Sequence, residues 1–371
     1  MNMTFDSDAA NTTDGSSANA CSRETEAQPL LPQPLALSRW IAESVDFEYI
    51  GMDPENPQPT ELMVFCCAML GIAALDPEKV CFVIAGDFVE SVKQRLPEGE
   101  YRDSFETQRG AGIVAAKTLK VGDEIHVVFP QWMFVDTVAA LRLLEPEAAA
   151  EIASTVVERA RQVRRTAFHE AQHVAISQRG EDAVDLNGLG WASKNFVSVA
   201  SQIIEEFRAE LAVPRELRDE RELVFPVEAL EHLRADLTRI TTVEYQHHLD
   251  VGKLSYEVTQ QTHHVWKVLA YLVAAQRVFG IVPGTAIPAE VQRAEAWRLM
   301  AAPLWERFEA LLSEIPPGQI AVSPDVLHRF ATDLAFLLSE WMLLLGFRWE
   351  DVGDPADQNS QFSIESWRLF E

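Results

Sequence analysis

Basic residues are in short supply in this chain. Against 57 Asp and Glu stand 31 Lys and Arg, a formal net charge of −26 over 371 residues. Phosphate contacts need dense Lys and Arg, so general binding to nucleic acid or to an anionic membrane face is excluded as the main role. Cysteine is scarcer still. Cys21, Cys66, Cys67 and Cys81 show no C-x-x-C spacing, and Cys66-Cys67 falls inside an apolar run. They read as buried thiols, with nothing to suggest a disulfide framework. Long hydrophobic runs are missing too. Leu62 to Leu75 is a stretch of 14 residues, short of the roughly 20 that a membrane-spanning helix needs. Phe330 to Phe347 contains Asp333 and Glu340, and Val265 to Val278 contains Lys267 and Arg277. Residues 1–36 have neither a basic start nor an apolar core, so they are not a signal peptide. The expectation is a cytoplasmic protein with no nucleic-acid and no membrane partner.

What is present is enough for a sizeable core. Hydrophobic residues make up 47% and charged ones 24%, ordinary for a globular chain long enough for one large domain or two ordinary ones. Residues 1–36, with Asp, Ser, Thr, Asn and Pro, read as a disordered tail. After it, Ser38 to Val45 and Glu61 to Leu75 look helical, and Val80 to Ala85 is a short β-rich run. Gly112 to Leu119 and Glu124 to Phe129, around Lys120-Val121-Gly122-Asp123, read as a β-hairpin. Glu145 to Arg165 is helical and runs on past Ala160. Asp185 to Trp191, with two glycines, is a loop. Beyond Pro214 nearly everything reads as helix, at about 228–240, 255–278, 287–314 and 324–345. There is no internal repeat. The fold class expected is α+β: a domain over 37–220 with a small sheet, then a mostly helical region over 221–371.

The chemistry is concentrated in His169-Glu170-Ala171-Gln172-His173, which matches the pattern H-E-x-x-H. Residues four apart share a helix face, so two imidazoles can meet one Zn²⁺, with Glu170 beside them as general base. The surroundings are helical. Ala160, Val163, Ala167, Ala171 and Val174 form a small apolar stripe, and no Gly or Pro interrupts before Gly180. Helical phase puts His169 and His173 on the other side, aligned with Gln162, Thr166 and Ile176, facing a cleft. Just upstream, Arg159, Arg161, Arg164 and Arg165 read as a face that balances nearby acids.

A catalytic zinc site needs a third protein ligand. The extended pattern H-E-x-x-H-x-x-G-x-x-H would need Gly and His where this chain has Ile176 and Arg179, so it is excluded. A Glu from a second helix remains. Asn195 to Val213 reads as that helix, with Phe196, Ala200, Ile203, Phe207 and Leu211 as its apolar stripe and Pro214 ending it. Glu205 projects nearly opposite the stripe, toward water. Glu206 and Glu210 flank it, four apart, so one can bind metal while the other orients a ligand histidine.

H-E-x-x-H followed by a helical E-x-x-x-D/E resembles the gluzincin branch of the zincin metallopeptidases. Glu206-Phe207-Arg208-Ala209-Glu210 is similar to the E-F-x-A-D element of the group that includes the heat-shock and prenyl-protein membrane proteases. The resemblance spans about fifty residues of the 371. It implies a zincin-like core, His169, His173 and Glu206 as zinc ligands, Glu170 as catalytic base, and Glu210 holding a ligand histidine from behind. It also implies a peptide or protein substrate, hydrolysed through a zinc-activated water. A downstream His or Tyr often steadies the oxyanion in such enzymes, and His247-His248, His263-His264, Tyr245 and Tyr256 are the candidates. His126, His232 and His328 read as structural. The alternative is a catalytically silent zincin-fold regulatory or defence-associated protein that binds a partner or senses metal. A third reading makes the motif an accident in a helical protein.

Overall fold

Three strands that run parallel and a fourth that turns back make the main sheet. The structure, a computed structural model, describes residues 39–109, 112–135, 146–284, 287–357 and 359–366. The tail expected over 1–36, and Cys21 with it, lie outside these residues. The described residues belong to one compact unit. Its elements begin with β1 (Trp40–Glu43), α1 (Glu61–Ala73), β2 (Val80–Ala85), α2 (Phe88–Lys93) and α3 (Glu100–Asp103). They continue with β3 (Gln108–Arg109), β4 (Gly112–Ile113), β5 (Lys117–Val121), β6 (Glu124–Pro130) and α4 (Pro146–Gln178). Then come α5 (Trp191–Leu211), α6 (Val227–Arg239), a π-helical turn over Ile240–Glu244, α7 (Tyr245–His248) and α8 (Val251–Phe279). Last are α9 (Ala289–Arg293), α10 (Glu295–Met300), α11 (Ala302–Ser313), α12 (Pro324–Leu344), β7 (Phe347–Asp351) and β8 (Ser360–Ile364). The class is mixed α+β, as expected.

The main sheet has the order β1-β2-β6-β5. β1, β2 and β6 are parallel, and β5 pairs antiparallel with β6 in the register Thr118↔Val127. The hairpin turn is the two residues between Val121 and Glu124, and Gly122 supplies its positive φ of +65°. β2 is buried throughout because both faces are covered. Val80, Phe82 and Ile84 face a core shared with α1 and α4, while Cys81, Val83 and Ala85 face α2. Cys66, Cys67 and Cys81 are buried free thiols, and burial pushes the Cys67 thiol up to about 12.

Two elements differ from the sequence expectation. Ser38 to Val45 was expected to be helical, but Trp40–Glu43 is a strand. Pairing along β2 decides a segment this short, and Ser44, at φ 52°, turns the chain away. Gly86 is required there, because a Cβ would stand 1.8 Å from the Ser44 carbonyl oxygen. The C-terminal region is not all helix: β7 and β8 form an antiparallel hairpin. The segment 287–314 is also three helices, broken at Ala294 and Ala301 where the backbone leaves the helical region.

The motif helix α4 lies between two cores. Its stripe of Val163, Ala167, Ala171 and Val174 is buried against α1 and the sheet. Each buried valine is worth roughly 1.5–3 kcal/mol, which fixes the rotation of α4 and so the direction of its histidines. On the other side, α5 packs with α6, α8, α10, α11 and α12 in a second, larger core. The N-terminus of α5 is capped from far away. Asp351 of β7 accepts from the backbone N–H of Ala192 at 2.7 Å and of Ser193 at 3.2 Å. A Cβ on Gly190 would sit 2.2 Å from the Asp351 carboxyl carbon, so glycine is needed for that carboxylate to reach the helix end. Arg208 of α5 pairs with Glu181 at 2.8 Å and donates to the carbonyls of Pro316 and Ile320, tying the far end of the helix down. Among the described residues, no helix is long and apolar enough to cross a membrane.

Candidate metal centre

α4 and α5 face each other with their polar flanks. His169 and His173 sit one turn apart on α4, and their Nε2 atoms approach to 3.1 Å. Each ring is held from behind by a carboxylate of α5. Glu210 Oε2 lies 3.0 Å from His169 Nδ1, and Glu205 Oε1 lies 2.7 Å from His173 Nδ1. A carboxylate accepts only, so each Nδ1 donates, and a neutral ring then turns its Nε2 lone pair into the space between the helices. Glu206 Oε2 enters the same space, 3.4 Å from His169 Nε2 and 3.9 Å from His173 Nε2. The three donor atoms lie within 4.8 Å of one another.

These residues fit a metal ion. Four ligands at zinc–nitrogen distances stand at tetrahedral corners roughly 3.3 Å apart, close to the 3.1 Å and 3.4 Å separations here. Imidazole and carboxylate are suitable donors, and carboxylates behind both rings fix the tautomer that coordination requires. His169, His173 and Glu206 are therefore able to hold a metal ion.

The electrostatics show how acidic the surroundings are. Burial disfavours the charged His169 ring, yet its hydrogen bonds to Glu206 and Glu210 raise it to about 10. His173 is raised as well: burial opposes the charge, and the Glu205 hydrogen bond overcomes it. Burial also works against the Glu210 carboxylate, but His169, Arg165 and Arg218 bring it down to about 2. Glu206 is held well below the usual carboxylate range, against burial, by Lys267 and the two histidines.

Glu170 lies beside this group. Its Oε2 accepts from the Thr118 hydroxyl at 2.6 Å, which joins the motif helix to the edge strand β5. From α8, Tyr271 donates to Glu206 Oε2, and Lys267 Nζ stands 3.4 Å from Glu206 Oε1. Burial, with Glu206 and Glu210 nearby, pushes the Tyr271 phenol well above its ordinary value, so it stays a donor. All of this opens on a cleft of about 870 Å³ between β5, α4, α6 and α8.

His169, Glu170, His173, Glu206 and Glu210 are thus brought together. Glu205 is not turned to water, because α4 occupies that side of α5. Asp185 accepts from Asn187 in its own loop. Of the downstream candidates, His263 and His264 line the cleft, whereas Tyr245, His247, His248 and Tyr256 do not. His232 also lines it. His126 is occupied on the sheet, taking a hydrogen bond from Arg95 at 3.0 Å with Glu124 at 3.0 Å from its other nitrogen. Arg161 and Arg165 balance acids, pairing with Glu158 and Glu222. Sequence reasoning missed Thr118, Lys267 and Tyr271. The signal for the last two was available: His263, Lys267 and Tyr271 recur every four residues, which puts them on one face of α8. Comparison of the chain with protein-family models, curated proteins and solved structures finds no match.

Proposed function

We propose that this protein is a zinc-dependent metallopeptidase with a zincin-like core, hydrolysing peptide bonds in the cleft beside α4. One observation carries the reading: two Nε2 atoms and the Glu206 carboxylate converge, each ring is backed by its own carboxylate, and Glu170 stands next to them on the same helix. The accident reading has no reason to place Glu205 and Glu210 behind the two rings. Zinc there would supply Lewis acidity to the scissile carbonyl and lower the pKa of a water toward neutrality. Glu170 takes the proton from the attacking water and returns it to the leaving amine, and the Thr118 hydroxyl keeps its carboxylate aimed. β5 has one neighbour in its sheet, so its outer edge is available to hold an extended peptide by main-chain hydrogen bonds. Tyr271, which donates to Glu206, keeps that carboxylate aimed into the site.

The test is metal content together with cleavage of a peptide library. The native protein should bind one zinc per chain, and His169→Ala with His173→Ala should remove it. Glu170→Gln should keep the zinc and lower cleavage by about 10²–10⁴ or more. Native protein that stays metal-free in excess zinc would sink the reading. Cleavage that persists unchanged in Glu170→Gln would refute the mechanism. Zinc without cleavage by either protein would favour a zincin-fold protein that binds a partner or senses metal.

A further inference from the structure

The cleft carries basic as well as acidic side chains. Beside the metal-binding group stand two lysines from different elements. Lys117 on β5 is the neighbour of Thr118, the residue that holds Glu170. Lys267 on α8 has Glu206 Oε1, at 3.4 Å, as its ion-pair partner. An ammonium has three donors, and one long contact leaves Lys267 capacity for more. The Lys117 ammonium makes no hydrogen bond or ion pair among the described residues. In a chain with a net charge of −26, an unpaired lysine inside a cleft is unusual and costs solvation. Burial pulls the Lys117 amine down, but Tyr101, Glu206 and Glu170 raise it overall, so it is charged at neutral pH. His263, one turn before Lys267 on α8, lines the same cleft, and its Nε2 is buried with no hydrogen-bond partner. Burial, Lys267, His264 and Lys117 press that ring down to about 3, so it is neutral.

The acids nearby have other hydrogen-bond or ion-pair partners. Glu170 is engaged by Thr118, Glu205 by His173, and Glu210 by Arg165 and Arg218. Two cations and an unsatisfied neutral imidazole in one cleft are complementary to an anion with two oxygens. The ligand class follows from the peptidase reading, on which this inference rests. We propose that Lys117, Lys267 and His263 form a subsite for a carboxylate of the peptide substrate, either an Asp or Glu side chain close to the scissile bond or the C-terminal carboxylate.

The experiment is direct binding to full-length, zinc-loaded Glu170→Gln protein, measured by calorimetry with four peptides. These are Ala-Ala-Glu-Ala-Ala and Ala-Ala-Gln-Ala-Ala, each with a free or an amidated C-terminus. A charged hydrogen-bonded contact is worth roughly tenfold or more in affinity. The acid form should bind at least about tenfold tighter than its amide at one of the two positions, and which one identifies the source of the carboxylate. Adding Lys117→Met should bring that ratio near one, and Lys117→Arg should restore most of it, which separates lost charge from lost folding. Equal binding of acids and amides, or no binding of any peptide, would overturn the subsite. Peptide cleavage by native protein tests the other reading separately. Acid-selective binding without cleavage would leave the subsite standing and remove the peptidase. Cleavage with no acid preference would do the reverse.

Discussion

The two histidines of the motif are supported in different ways. Behind His169, Glu210 is only 1% exposed, and Arg165 and Arg218, the latter fully buried, both pair with it. Glu222 closes the cage by binding both arginines. Behind His173, Glu205 is 26% exposed and makes one hydrogen bond to the ring. One half is an ion network centred on a buried pair and built into the fold, and the other is a single contact at the cleft wall. The difference teaches that the same local task, fixing an imidazole tautomer, is coupled to global stability on one side and nearly independent of it on the other.

Breaking the caged half should have the largest effect. Glu210→Ala removes the buried one of the two carboxylates that Arg165 and Arg218 share, and breaking a buried pair costs about 3–5 kcal/mol. Urea unfolding should show that loss, with metal affinity falling as a consequence. A stability change under about 1 kcal/mol would mean that the cage is looser than its geometry.

The pH dependence of the metal-free protein sharpens the contrast. His169 is raised from 6.5 to about 10, so its contribution is fully present below about 6.5 and is lost as pH rises through about 10. Glu210 is lowered from 4.5 to about 2, so its contribution is present above about 4.5 and is lost as pH falls through about 2. Stability should therefore be highest near pH 5–6 and fall on both sides. Glu210→Gln should flatten the acid limb. An acid limb equally steep in Glu210→Gln would assign it to other carboxylates.

The open half should give the smallest change in folding. Glu205→Gln should shift stability by less than about 1 kcal/mol, while metal affinity drops roughly 10–100-fold because the His173 ring exchanges an anionic acceptor for a weaker neutral one. Glu206→Gln, which alters the proposed third ligand, should weaken binding more. Metal titration of the two variants side by side orders them, and equal losses would leave the third ligand unassigned.

Much of this site was legible in the sequence, because helix periodicity is a strong signal. The Ala/Val stripe of α4 fixed which way His169 and His173 point, and the stripe of α5 put Glu206 and Glu210 at the interface. Glu205 was misread for a physical reason. Phase against a single apolar stripe assumes one buried side, but α5 is sandwiched, with hydrophobic neighbours on one flank and a polar helix on the other. Trp40–Glu43 has too few residues for any period to show, and only its neighbour β2 makes it a strand. The hairpin at the end of the fold did carry a signal, since Phe347 and Trp349 alternate inward with Arg348 and Glu350. The π-helical turn at Ile240–Glu244 leaves no pattern of this kind.

The reach of Asp351 to the head of α5 has a consequence for how the protein is made. A ribosome releases the chain from its N-terminus, so the H-E-x-x-H helix and all three carboxylates of α5 emerge long before residue 351. Until then the helix that carries Glu205, Glu206 and Glu210 has bare N–H groups at its start, and Gly190 offers no side chain to cover them. The late hairpin supplies the missing acceptor. The H-E-x-x-H motif is therefore made before the residue that caps the helix facing it.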